Sequence, residues 1–191
     1  MITNEDDAAV WDRLASMLSA GAAQAVRDCW AIGEQEAGLG MLVAGLLDEG
    51  TAISETARAE LAVVAETWGE RENLMPQLLR CRGDGRQADV QLIEVETVIN
   101  GADLASSGGL EDLLLVPWVS CTRCGQVLMR AHALEPWGNL SYIARHYAIV
   151  SPDRGRVLRV FSDDSADESF CVLLHDCPRA EPAGQRLTRL R

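Results

Sequence analysis

The sharpest chemical motif of the chain is a pair of cysteines separated by two residues, in the segment CTRCG from Cys121 to Gly125. Two thiols at this spacing, followed by a glycine that permits a left-handed backbone, are typical of a zinc knuckle. A structural zinc site needs four ligands, and Cys171 and Cys177 are the candidates for the other two, with His132, His146 and His175 as further options. One hypothesis is therefore a structural zinc ion at Cys121, Cys124, Cys171 and Cys177.

Two other interpretations of the Cys121 and Cys124 pair stay open. The two residues can be small buried side chains at a strand turn, without any ligand. They can also be a redox pair. Redox pairs of this spacing usually lie at a strand-to-helix junction inside a βαβ unit, and the sequence pattern here does not indicate a βαβ unit.

Among catalytic signatures, the sequence contains no GlyXSerXGly, no HisGluXXHis and no GlyXXXXGlyLys phosphate-binding loop. We therefore expect a protein that is not an enzyme.

Charge narrows the class of partner. The chain of 191 residues has a net charge of -12, which argues against nucleic acid or an anionic membrane as the partner, because phosphate contacts need clustered arginine and lysine. Residues 1–79 hold 14 acidic residues against 4 arginines, so most of the excess lies in this part. A basic protein is the partner that this charge favours.

Four acidic residues bracket one predicted helix and are the candidate partner-binding residues: Glu34, Glu36, Asp48 and Glu49. Glu34 and Glu36 suit a helix N-terminus, whereas Asp48 and Glu49 lie at the end where the helix dipole opposes them. The segment from Cys29 to Gly50 also carries five glycines, each of which costs about 0.5 to 1 kcal/mol in a helix interior. Close packing of two helices, with their acids projecting as one patch, would explain both features.

The spacing of apolar residues predicts two parts. In residues 1–79 a three-to-four period predicts four helices, about 5–19, 20–32, 35–48 and 55–68, with Ser54 as a cap and Gly33, Gly50 and Gly69 as ends. Residues 74–87 indicate a connection, with room for one more helical turn. In residues 80–191 short runs rich in β-branched and aromatic residues predict strands at 90–98, 113–119, 126–130, 146–150, 156–161 and 170–175. Residues 148–161 are the clearest hairpin, and 135–145 are predicted to be a helix.

The sequence therefore predicts an α+β fold, with an acidic four-helix domain at 1–79 and a mainly antiparallel β-sheet domain at 80–191. The N-terminal residues MITNEDD lack the features of a signal peptide, and the longest apolar run, 39–47, is short of the ~20 residues of a membrane span. We expect a cytoplasmic protein with no membrane partner.

Residues 9–70 resemble the MafI-type immunity proteins of bacterial contact-dependent and polymorphic-toxin systems. The resemblance rests on GEQEAGLG at 33–40, LLDEG at 46–50, the short link with Ile53 and the capped helix that ends near Trp68. It implies a small helical protein that binds and blocks a cognate toxin. The alternative is a zinc-binding adaptor or regulatory protein whose sheet domain holds the metal.

Overall fold

The computed structural model describes residues 4–94, 97–106 and 108–176, and the fold is α+β with the helices first, as predicted. The helices α1 to α5 precede the sheet and α6 follows it. They are α1 Asn4–Ala15, α2 Ala20–Ala31, α3 Gln35–Asp48, α4 Glu55–Thr67, α5 Arg71–Leu78 and α6 Ala166–His175.

The first four predicted helices are confirmed, and α5 is the extra turn expected near residue 74. Local signals set their ends. The side chain of Ser54 accepts a hydrogen bond of 3.1 Å from the backbone N–H of Ala57 and so caps α4. Gly50 has a φ of +61°, which ends α3 in the left-handed conformation that glycine adopts most readily. Within the described ranges, no helix combines the length and apolar composition that crossing a membrane requires.

Two glycines of α3 allow close packing, as the sequence predicted. A Cβ atom on Gly38 would lie 2.9 Å from the Cβ of Cys29 on α2, and one on Gly45 would lie 3.0 Å from the side chain of Leu18. Both distances are shorter than a normal carbon contact. A Cβ on Gly40, by contrast, would meet no atom of a described residue within 4 Å. Gly38 and Gly45 therefore have a packing role that Gly40 does not have.

Among the residues that the structure describes, the sheet contains six antiparallel strands. Its main path runs β1-β3-β4-β5-β6, and β2 pairs with another part of β3. The predicted hairpin at 148–161 is confirmed as the β5–β6 pair. The strands are β1 Val90–Leu92, β2 Ile99–Asn100, β3 Leu114–Cys121, β4 Val127–His132, β5 His146–Val150 and β6 Val157–Phe161.

The helices cover one face of the sheet and share a hydrophobic cluster with it. Alternation along β4 turns Leu128 towards this cluster, while Met129 faces a second cluster on the opposite side of the sheet. Helix α4 packs on β1, and α6 packs against α4, β4 and β5. The chain changes from helix to strand near residue 79, where the domain boundary was predicted, but apolar residues from both sides of that boundary form one buried cluster.

The prediction of a strand at 170–175 is wrong, because this segment belongs to α6. Its buried residues Ala166, Phe170 and Leu173 follow a helical period. Asp167 and Glu168 lie in the first turn and His175 lies in the last, which is the charge order that the helix dipole favours. The apolar run FCVLLH alone does not distinguish a strand from a helix.

The prediction of a helix at 135–145 is also wrong. Gly138 has a φ of +89°, and its N–H donates to the carbonyl of Glu135 in a turn. Pro136 stands between them and lacks an N–H donor. The chain turns back here, and an isolated bridge joins Leu134 to Leu140.

Candidate functional site

The four acidic residues expected to bind a partner lie at the two ends of α3. Glu34 precedes α3 and Glu36 lies in its first turn, whereas Asp48 is its last residue and Glu49 follows. Because an α-helix rises about 1.5 Å per residue, the 14-residue helix separates the two pairs by roughly 20 Å. All four residues are exposed. The structure thus divides the expected single patch into two acidic groups.

Glu49 has a structural partner that the sequence did not indicate. The backbone N–H of Ser19, just before α2, donates to Oε2 of Glu49 at 2.9 Å, and the Ser19 hydroxyl donates to Oε1 at 2.6 Å. The hydroxyl bond, followed by the backbone bond, holds the pKa of Glu49 below its ordinary value. A carboxylate that opposes the dipole at the end of α3 is therefore accepted because it lies at the N-terminus of α2.

We expect Glu49→Ala to lower the melting temperature more than Asp48→Ala. The first substitution removes two hydrogen bonds at the start of α2, whereas the Asp48 side chain makes no hydrogen bond or ion pair with any other described residue. Thermal unfolding followed by circular dichroism measures the difference. Equal melting temperatures for the two variants would contradict the capping role of Glu49.

The arginines of residues 1–79 neutralise acids outside this set. Glu34, Glu36 and Asp48 form no ion pair with any residue in the described ranges. The negative charge at the ends of α3 is therefore not balanced by the helical part's own arginines. The observed pairs are Arg13–Glu60, Arg27–Asp12, Arg58–Glu55, and Arg71 with both Glu66 and Glu72.

The N-terminal acidic group continues onto α2. Asp28, in the last turn of α2, and Ile32, directly after that helix, are both exposed, and Ile32 is 74% accessible. Glu34 and Glu36 follow at the start of α3. We name Asp28, Ile32, Glu34 and Glu36 the α2–α3 turn surface. Along the chain it places an exposed apolar side chain between exposed carboxylates.

The two motif cysteines lie at the hairpin turn between β3 and β4. Cys121 ends β3 and is buried, and the N–H of Gly125 donates to its carbonyl at 2.9 Å. Gly125 has a φ of +74°, as a tight turn requires. Cys124 is partly buried and packs against the cluster shared by the helices and the sheet. This geometry agrees with the interpretation of the pair as residues at a strand turn.

Of the remaining two candidate zinc ligands, Cys171 and Cys177, the structure describes only Cys171. Cys171 lies on α6, where partial desolvation and then the carboxylates of Asp167 and Glu60 raise the pKa of its thiol. Cys177 lies outside the described residues. Within residues 4–94, 97–106 and 108–176, no three side chains of histidine, cysteine, aspartate or glutamate converge as a metal site would need. Zinc binding stays a prediction that no described contact supports.

A buried polar cluster between the helices and the sheet was not predicted. The carboxylate of Glu66 on α4 accepts from the Tyr147 hydroxyl at 3.2 Å and lies 3.5 Å from Nη1 of Arg130 and 3.6 Å from Nε of Arg71. The Arg130 guanidinium also lies over the ring of Trp118, with 5.7 Å to the ring centroid. Burial, and then the Glu66 carboxylate, raises the pKa of Tyr147. We call Glu66, Arg71, Trp118, Arg130 and Tyr147 the Glu66 cluster.

His132 lies two residues beyond Arg130, on the same side of β4. Its Nδ1 lies 2.7 Å from the carbonyl oxygen of Ser141, so Nδ1 carries the hydrogen and Nε2 is the unprotonated nitrogen. Burial, and then the Arg130 guanidinium, lowers the pKa of His132 to about 4. A cavity of about 480 Å³ opens beside it, lined by Arg71, Glu72, Val116, Arg130, His132, Leu140, Ser141 and Tyr142.

One signal in the sequence could have indicated this site. Strand β4 reads VLMRAH, and all six of its residues are buried. Arginine and histidine at alternate positions of an otherwise apolar strand point to the same face, where a buried charge requires a partner.

Comparison of the chain with protein-family models, with curated proteins and with solved structures finds no match.

Proposed function

We propose that the protein is an immunity-type inhibitor that binds and neutralises a cognate basic toxin through the α2–α3 turn surface. The observation that carries the proposal is the unbalanced charge of Glu34 and Glu36, which no described arginine neutralises. Asp28 adds a third carboxylate at the same end of the helix pair. The resemblance of residues 9–70 to MafI-type immunity proteins supports the same function.

Charge and apolar exposure have separate roles in this proposal. Long-range attraction by the carboxylates would steer a basic toxin towards the α2–α3 turn and raise the association rate. The exposed side chain of Ile32 would then enter a pocket of the toxin and slow dissociation. Close packing of α2 against α3 at Gly38 keeps both elements in a fixed arrangement, which reduces the entropy lost on binding.

The proposal predicts a rate effect for the double charge reversal Glu34→Arg/Glu36→Arg. We expect the association rate constant with a catalytically disabled toxin, encoded beside this gene, to fall about tenfold or more at low ionic strength. The loss should shrink at about 1 M salt, where the Debye length is near 3 Å. Surface plasmon resonance at several salt concentrations measures both.

The matched control is Asp103→Arg/Asp112→Arg, which changes the net charge by the same amount. Both residues are exposed and lie in residues 80–191, the part of the chain that carries the β-sheet. We expect this variant to change the association rate less than twofold. Equal losses in the two variants, or the absence of binding to any neighbouring toxin, would reject the proposed function.

A further inference from the structure

A large apolar groove lies between α1, α4 and α6. Its volume of about 650 Å³ falls within the range of about 300 to 1,000 Å³ that is usual for ligand pockets. Its wall includes four partly exposed apolar residues, one on α1, two at the end of α4 and one on α6: Val10, Val64, Trp68 and Val172. All four also pack against the cluster shared by the helices and the sheet, which holds the wall in place.

Carboxylates line the same groove. They come from α4, from the first turn of α6 and from the residue after α6: Glu60, Asp167, Glu168 and Asp176. Glu60 and Asp176 pair with exposed arginines. Asp167 and Glu168 form no ion pair with any residue in the described ranges, and no arginine is among the described residues that line the groove. This lining is therefore apolar and negatively charged.

The carboxylates act inside the groove and not only at its rim. Cys171 of α6 also lines it, and burial, followed by the carboxylates of Asp167, Glu60 and Glu168, raises the pKa of the Cys171 thiol. Negative charge from two helices therefore adds up at one point of the groove. Next to apolar walls such charge is screened less than at an open surface. A ligand that is both apolar and cationic matches the two properties of this lining.

The geometry points to a binding site in this groove for a small organic ammonium ion with an apolar body. The ammonium group binds beside Asp167 and Glu168. The apolar body contacts Val64, Trp68 and Val172, where its burial contributes affinity. The site shares no described residue with the α2–α3 turn surface, and its test requires no toxin.

The test uses the full chain near neutral pH and four compounds. The probe is 4-phenylbutylamine. The alcohol 4-phenylbutanol keeps the apolar body without the charge, 4-phenylbutyrate carries the opposite charge, and propylamine keeps the charge without the ring. We expect the probe to bind about tenfold more tightly than 4-phenylbutanol or propylamine, the ratio that corresponds to about 1.4 kcal/mol, and 4-phenylbutyrate to bind more weakly than the alcohol. A ¹⁵N NMR titration measures the affinities, and the amide shifts should concentrate in α1, α4 and α6.

The matched variant is Asp167→Asn/Glu168→Gln, which removes two charges and nearly preserves the size of both side chains. We expect its affinities for 4-phenylbutylamine and 4-phenylbutanol to agree within about twofold, because only the charged probe loses an interaction. Asp103→Asn/Asp112→Asn removes the same charge from exposed residues outside the described lining. This control should keep the tenfold preference.

Three results would overturn the proposal. The first is equal affinity of the native protein for 4-phenylbutylamine and 4-phenylbutanol, and the second is an unchanged preference in Asp167→Asn/Glu168→Gln. The third is no saturable binding of the probe up to about 20 mM, well above a millimolar dissociation constant. If the variant fails to fold, the salt dependence of the native protein decides. The preference for the amine should shrink at about 1 M salt, and a preference that salt leaves unchanged would reject the site.

Two other occupants of the groove can be recognised in the same experiments. Residues 177–191 carry four arginines. A tenfold or greater rise in probe affinity in Arg186→Glu/Arg189→Glu would assign the groove to this segment and overturn the proposal. A dimer that dissociates on addition of the probe, observed by sedimentation velocity, would assign the groove to a second copy of the chain and overturn it as well.

Discussion

Glu66→Gln is expected to lower the free energy of unfolding by about 3 to 5 kcal/mol, the range observed when one partner of a buried ion pair is removed. The Glu66 side chain is 6% exposed and faces two guanidiniums, that of Arg130, which is buried, and that of Arg71, which is partly buried. A neutral amide leaves those cations without their shared buried anion. It also weakens the acceptor for the Tyr147 hydroxyl. Urea denaturation followed by tryptophan fluorescence measures the loss.

Glu60→Gln on the same helix is the matched control for this prediction. Glu60 pairs with Arg13, whose side chain is 54% exposed, and ion pairs of this kind contribute about 0 to 1 kcal/mol. We expect a loss below about 1 kcal/mol for the control. Similar losses in the two variants would show that the Glu66 cluster is not an important source of stability.

The second large effect is a loss of stability in mild acid. The pKa of His132 falls from 6.5 to about 4 in the folded protein. Between pH 6.5 and about pH 4 the unfolded chain therefore binds a proton at His132 that the folded protein does not bind. Stability therefore falls as the pH decreases from about 6.5 to about 4, by about 1.4 kcal/mol per pH unit. The full contribution of His132 amounts to about 3 kcal/mol at pH 4. Urea denaturation at pH 7, 6, 5 and 4 measures it.

His132→Asn is the control for the acid effect because asparagine does not titrate. The variant should lose the part of the slope between pH 6.5 and 5, while acidic residues continue to contribute at lower pH. The two remaining histidines, His146 and His175, are unchanged in this variant. A slope that is the same in the native protein and in His132→Asn would exclude His132 as its cause.

The helical part could be predicted from the sequence because its signals are local. Ser54 caps α4 through a residue three positions away, and Gly50 ends α3 through its own backbone conformation. The β5–β6 hairpin is local in the same sense. The close approach at Gly38 was also foreseeable, since several glycines in a predicted helix require a packing reason.

The rest depended on contacts between distant parts of the chain. The partners of Glu66 in the cluster, Arg130 and Tyr147, lie 64 and 81 residues further along. Their meeting requires the position of α4 on the sheet, which periodicity does not provide. Glu49 similarly meets Ser19 30 residues away, so its charge appeared unbalanced in the sequence. Segment 170–175 was too short to distinguish a strand from a helix.

The cluster shared by the helices and the sheet limits how the protein can be divided for experiments. A fragment that ended at residue 79 would expose to water the side of α4 that packs on β1. The complementary fragment would leave Trp118, Leu128 and Ile149 without their apolar covering. A peptide that tests the proposed toxin binding is therefore better made by grafting the α2–α3 turn onto another stable scaffold than by truncation.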